Sequence, residues 1–209
     1  MFPTEILVAY LAAVLVVIAA PGPDNILAVS RGLSQGRLAA ALSSIGAGLG
    51  IMFHTVAAAL GLALVLQASP MAFWVVKAAG AAYLLWLGYK AIASRSLISF
   101  LPAEQQSLGR VFATGLFSNV LNPKPGLFVV AFIPQFTNPA RGPVYLQMLG
   151  YGAIFAVLTA IIFTVLGSFA AQLSRWLSRR PKAVAAANVG AGLTFIAAGL
   201  SILALERRR

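Results

Sequence analysis

Two proline motifs interrupt apolar runs that are otherwise long enough to cross a bilayer: Pro21-Gly22-Pro23-Asp24-Asn25 and Asn122-Pro123-Lys124-Pro125. They lie about one hundred residues apart, and each puts one charge in the break, an acid in the first and a base in the second. A spanning helix needs about 20 mostly apolar residues. Proline removes a backbone donor and clashes with the preceding turn, so it kinks or breaks a helix interior. The freed carbonyls are tolerated at membrane depth only where they face protein or a wet cavity. Breaks at corresponding places in two halves of a chain are the best sequence pointer to a transporter binding site.

Composition supports a membrane setting. The chain is 60% hydrophobic and 9% charged, against roughly 45–50% and about 25% in soluble domains. Without Cys, neither disulfides nor Cys-ligated metals are available. One His and four acids leave little for a metal site, and no cofactor is implied. The formal charge of +11 comes from Lys and Arg in short loops between apolar runs. That is the pattern of membrane orientation, not of a basic face that binds nucleic acid. Met1-Phe2-Pro3-Thr4-Glu5 lacks the basic flank of a signal peptide, so the first apolar run is expected to remain as a spanning helix.

The expected architecture is an all-α integral membrane protein, one domain over residues 1–209. Six spans are expected near 5–33 (broken at Pro21), 39–66, 71–93, 110–134 (broken at Pro123), 144–170 and 185–206. They divide into repeat 1, about 5–93, and repeat 2, about 110–206. Three helices per repeat is an odd number, so the second copy would lie inverted in the membrane. Loops 1–2, 3–4 and 5–6 with their flanks carry nine Lys or Arg, Arg31 among them, against five on the other side. The positive-inside rule then places those loops in the cytoplasm and both termini outside.

Each break also restarts a helix. Proline is favoured at the first helical position and Asn just before it is a good cap, which Asn122-Pro123 satisfies better than Gly22-Pro23. Both half-helix N-termini are expected to offer partial positive charge and free N–H groups to an anion. Aligning Pro23 with Pro123 aligns Asp24 with Lys124. The two could pair. They could equally divide a zwitterion, Asp24 taking the α-ammonium, Lys124 and the half-helix N-termini the α-carboxylate. Asn25 and Asn122 complete the expected substrate-binding set, with Pro21, Gly22, Pro23, Pro123 and Pro125 forming the breaks. The plainer alternative is that the prolines only kink packing helices and the charges lie at membrane edges. An intramembrane charge costs about 2.5–3.5 kcal/mol on insertion scales, and Asp24 is the only acid away from termini and loops.

Asp24 is the natural proton carrier, and His54, the single histidine, could relay protons or simply hydrogen-bond a neighbouring helix. Gly46, Gly48 and Gly50 sit inside an apolar helix with no preceding strand, so they read as a packing surface, not a nucleotide loop. Phe117, Phe128 and Phe132 flank the second break and could line a pocket or pack a core. Trp74, Tyr83, Trp86, Tyr145, Tyr151 and Trp176 are candidates for an interface belt or for packing.

These residues resemble the lysine exporter superfamily, in particular its branch for homoserine, threonine and related amino acids. The matching stretches are 21–25, Arg31-Gly32 with Gly36-Arg37, Gly46 to His54, Gly61-Leu62 and Gly80-Ala81-Ala82-Tyr83-Leu84 with Gly88. In the second half they are Asn122-Pro123-Lys124, Phe128 and Pro134-Gln135-Phe136. The resemblance covers essentially the whole chain. It implies a secondary exporter of amino acids or their derivatives in the bacterial inner membrane, driven by protons, with no cofactor and no catalysis. Its partners would be a small-molecule substrate, protons and lipid, and a homo-oligomer is left open. Ala40-Ala41 and Pro125 depart from the family pattern. A cation transporter of the same superfamily and an intramembrane enzyme using Asp24, His54 and Lys124 are the competing readings.

Overall fold

The computed structural model describes residues 3–20, 22–68, 70–93, 102–179 and 181–204, and all regular structure among them is helical. Pro21 and the terminal Arg207 to Arg209 lie outside the described residues. Helix α1 (Thr4–Ala19) stops at the first break, where Ala20 turns to extended backbone. Helix α2 (Pro23–Ala68) restarts at Pro23 and turns at Gly36, whose φ of 80° is a conformation that a Cβ disfavours. That turn separates a short arm, 23–35, from a long arm, 37–68, and is the expected boundary between the first two spans. Helix α3 is Pro70–Ala93.

The second broken unit is α4 (Leu108–Val120) and α5 (Pro123–Phe132), extended by a 3-10 turn at Ile133–Phe136 and bent by 51° at the break. Helix α6 (Val144–Ser168), the short α7 (Ala170–Ser178) and α8 (Pro181–Ala204) follow. The expected elements are present within a few residues. The differences are α7, too short and too polar to register as a span, and an α8 that starts at Pro181, not near 185.

The long arm of α2 is the centre of the molecule, packed between α4 and α6, while α3 packs on α8. Small residues permit this. A Cβ on Gly46 would strike the Phe112 carbonyl, one on Gly115 the Ser43 carbonyl, and one on Gly48 would lie 2.9 Å from the Ala156 carbonyl. Gly46 therefore faces α4 and Gly48 faces α6, the close backbone approach by which membrane helices associate. Gly88 and Gly192 let α3 and α8 meet in the same way.

Among the described residues, α2 over 23–61, which includes the turn at Gly36, and α6 over 144–168 each contain a stretch long and apolar enough to span, and the bent α4–α5 unit makes a third. Leu49, Phe53, Val56 and Leu60 on α2, and Val157, Ile161 and Val165 on α6, are exposed. Apolar side chains repeated along two helices suit acyl chains and would be an aggregation surface in water.

Arg31 departs from its expected place among the loop charges, because it is only 3% exposed. Its guanidinium donates to the Glu104 carbonyl, to Gln35 Oε1 at 3.3 Å and to Gln106 Oε1 at 2.7 Å. Gln35 Nε2 in turn donates to the Gln106 carbonyl at 2.7 Å. Arginine's fork of donors suits such a clasp. It ties the short arm of α2 to the segment entering α4, and so holds the two broken units together.

Candidate functional site

The first break is closed by its own side chains. The Ile26 N–H donates to the Gly22 carbonyl at 3.1 Å, which makes Gly22 the cap of α2. The Gly22 N–H donates to Asn25 Oδ1 at 2.9 Å, the backward half of a capping box, and Asn25 Nδ2 donates to the Ala20 carbonyl at 3.1 Å. Both polar ends of Asn25, expected to touch substrate, are thus engaged within the break. Asp24 occupies the first turn of α2, where the helix dipole favours a carboxylate.

The second break follows the sequence expectation at Asn122 and departs from it at the prolines. Asn122 Oδ1 accepts the Lys124 N–H at 3.0 Å and caps α5. Pro123 and Pro125 have no N–H to give, so the first turn of α5 does not offer the free donors expected for an anion. What remains there for an anion is the Lys124 side chain.

The two charges are held crosswise. Asp24 Oδ1 accepts from Ser118 Oγ at 3.0 Å, and Oδ2 accepts from Asn119 Nδ2 at 2.7 Å and Asn122 Nδ2 at 2.9 Å. All three donors belong to the second broken unit. Lys124 Nζ donates to the Ala20 carbonyl at 2.8 Å and the Val17 carbonyl at 3.2 Å, the carbonyl end of α1 in the first unit. Helix α1 has no basic residue in its last turn, and Lys124 supplies that cation from another helix. Among the described residues no hydrogen bond or ion pair joins Asp24 to Lys124 directly. Gly22 makes room for the ammonium, since a Cβ there would sit 3.0 Å from Nζ.

Both charges line one small cavity with Val17, Ile18, Ile51, Asn119, Pro125, Phe155, Thr159 and Phe163. It has room for about one water molecule. Asp24 and Asn122 are 7% exposed and Asn119 is 1% exposed, so these polar groups are secluded.

His54 stands behind the site, not in it. Its Nε2 is 3.1 Å from the Asn119 carbonyl. That carbonyl loses the usual helical donor four residues on, because residue 123 is proline, and instead accepts the Asn122 N–H at 3.0 Å. A carbonyl only accepts, so Nε2 carries the hydrogen and is a second donor to that oxygen. Phe128 and Phe132 stack at 4.7 Å, and Phe128 meets Phe155 edge-on at 5.3 Å, so they pack the core under the cavity. Phe117 is 59% exposed and does not line it. Tyr151 is fully buried, with its carbonyl bonded by Tyr10 at 2.6 Å, and is no belt residue. Trp74, Trp86, Tyr145 and Trp176 are each about half exposed, while the Tyr83 side chain lies outside the described residues.

Ser118, Asn119 and Thr159 were not singled out from the sequence. A signal for the first two existed: Ser118 and Asn119 lie four and three residues before Asn122, hence on one helix face with it. Thr159 is, like Thr164, a single hydroxyl between apolar residues of α6, and gave none. Among the described residues no three of His, Cys, Asp and Glu gather to hold a metal ion.

Residues 15–205 match the family described as LysE type translocator. A homoserine/homoserine lactone efflux protein of Salmonella typhi is 33% identical over 200 residues, 95% of this chain and 96% of its own. A leucine efflux protein of Klebsiella pneumoniae is 29% identical over 206 residues, 94% of each chain. An uncharacterized membrane protein of Vibrio cholerae is 32% identical over 193 residues, 92% of this chain and 93% of its own. No solved structure matches.

Proposed function

Because the chain belongs to the LysE type translocator family, we propose that it exports small neutral amino acids of the homoserine and threonine class by proton antiport. The family is one of translocators, and the relatives that carry an activity in their names are efflux proteins for homoserine and its lactone and for leucine. The observation that carries the reading is the crossed pair of charges. Asp24 and Lys124 line one cavity, and each is held by the opposite broken unit without pairing with the other. A zwitterion offers each of them a better partner than it has now. Its ammonium replaces neutral amide donors at Asp24, and its carboxylate replaces neutral carbonyls at Lys124, so both contacts become charge-assisted.

The cavity is smaller than an amino acid, so binding requires the two broken units to part. Substrate then substitutes for the cross-bonds that hold them together, coupling occupancy to opening. A proton on Asp24 would displace one of its donors and loosen the same junction, giving proton entry and substrate release a shared lever. The six-span, two-repeat plan belongs to this reading too: α1 with the short arm of α2 corresponds to α4 with α5, the long arm of α2 to α6, and α3 to α8.

The test is efflux from preloaded cells expressing wild type, Asp24→Asn or Lys124→Ala at matched membrane levels, with a panel of labelled amino acids. Accelerated loss of a subset by wild type, abolished in both variants, is the expected result. Accelerated loss that both variants retain would remove the site and leave the exporter. No acceleration of any amino acid would remove the exporter.

A further inference from the structure

Two side-chain atoms of residues that line the cavity stand apart from the crossed charges. Thr159 Oγ1 and Asn119 Oδ1 are buried and have no hydrogen-bond partner among the described residues. Thr159 is 2% exposed and Asn119 1%. A buried polar group without a partner costs about 1–3 kcal/mol, so such groups are rare and call for a reason.

Helix geometry does not supply one for Thr159. A threonine or serine in a helix can satisfy itself on the carbonyl four residues back. Thr55 does so on Ile51 at 2.8 Å, Ser44 on Ala40 at 2.7 Å and Thr114 on Arg110 at 2.7 Å. Thr159 leaves its preceding turn unbonded and faces the cavity between Phe155 and Phe163, its neighbours on the same face of α6. Asn119 spends its amide on Asp24 and keeps its carbonyl oxygen.

The two atoms are chemically complementary to one ligand group. Thr159 can donate and Asn119 Oδ1 can only accept. An alcohol accepts from the first and donates to the second. The remaining wall of Val17, Ile18, Ile51, Phe155 and Phe163 is apolar and offers nothing further. We propose that Thr159 and Asn119 form a hydroxyl subsite that makes the transporter select amino acids with a side-chain alcohol over their hydrocarbon isosteres. This rests on the amino-acid exporter reading and adds the residues that set its specificity.

The test is counterflow into proteoliposomes of the purified protein, with L-homoserine and L-norvaline as an isosteric pair differing by hydroxyl against methyl. Wild type is expected to favour homoserine. Thr159→Val, which keeps the shape and removes the hydroxyl, should cut that preference by about ten- to hundredfold, mainly by slowing homoserine. Thr159→Ser should preserve it. Thr159→Ala serves as a second hydroxyl-free variant if the valine form is poorly produced, with the same expected loss. Equal flux of the pair in a working wild type would overturn the subsite while leaving the exporter. So would a preference that survives Thr159→Val, or a proportional fall in both substrates, which marks a structural role. No counterflow of any amino acid by wild type would overturn the exporter reading and the subsite with it.

Discussion

The two breaks share a proline and a charge but solve opposite electrostatic problems. In the first, Asp24 lies at the positive end of α2, where even an idle carboxylate is favoured by about 0.3–1 kcal/mol. In the second, Lys124 lies in the first turn of α5, where the same dipole disfavours a cation and no acid in that turn offsets it. Local helix chemistry therefore accounts for an acid at 24 and argues against a base at 124. What outweighs the dipole at 124 is the pair of bonds to the Val17 and Ala20 carbonyls, since hydrogen bonds to a charged group contribute about 1.5–3 kcal/mol. The lesson is that Lys124 is placed by the other broken unit, not by its own helix. The second break makes sense only in the presence of the first.

That contrast can be broken most severely by exchanging the charges. In Asp24→Lys with Lys124→Asp, a carboxylate would face the Ala20 and Val17 carbonyls, which cannot turn into donors. A buried charge without compensation costs about 3–5 kcal/mol, so efflux by the double variant should stay more than about a hundredfold below wild type. Restoration toward wild-type efflux would mean that 24 and 124 act as a simple ion pair.

A milder break removes one strand of the crossing. Asn119→Leu deletes a donor to Asp24 at 2.7 Å and should slow efflux by roughly ten- to hundredfold at matched expression, by the value of a charge-assisted bond. Unchanged efflux would show that Asn119 does not hold the acid.

The smallest expected effect sharpens the comparison by displacing Asn119 without altering it. A Cβ at Gly50 would sit 2.7 Å from both Cβ and Oδ1 of Asn119, so Gly50→Ala must push that side chain from Asp24. Efflux should fall a few-fold. Gly109→Ala is the control, since a Cβ there meets nothing within 4 Å among the described residues. Equal efflux by the two variants would remove the steric link between α2 and the acid.

Much of this was legible in the sequence, because broken apolar runs, prolines and lone charges each carry a strong physical signature. The cap at Asn122, the packing role of Gly46 and Gly50, and the coming together of the breaks all follow from residue type and spacing. What escaped depends on partners that are distant in the chain. Arg31 looked like a flank charge because burial by the 102–107 segment leaves no local pattern. Asn25 looked like a ligand because an Asn beside an Asp resembles one; its engagement with Gly22 and Ala20 depends on the turn geometry. The donors expected at α5 vanished through a rule that was available, two prolines in one first turn. Thr159 was invisible because one hydroxyl in an apolar helix usually bonds its own turn.

Whether the two breaks divide a zwitterion between them is tested most simply with three ligands. Proteoliposomes would be offered threonine, threoninamide, which lacks the carboxylate, and 3-hydroxybutanoate, which lacks only the ammonium. With the zwitterion divided in this way, threonine shows counterflow and each analogue loses at least about tenfold, threoninamide for want of a partner at Lys124 and 3-hydroxybutanoate for want of one at Asp24. Either analogue carried as fast as threonine would contradict it.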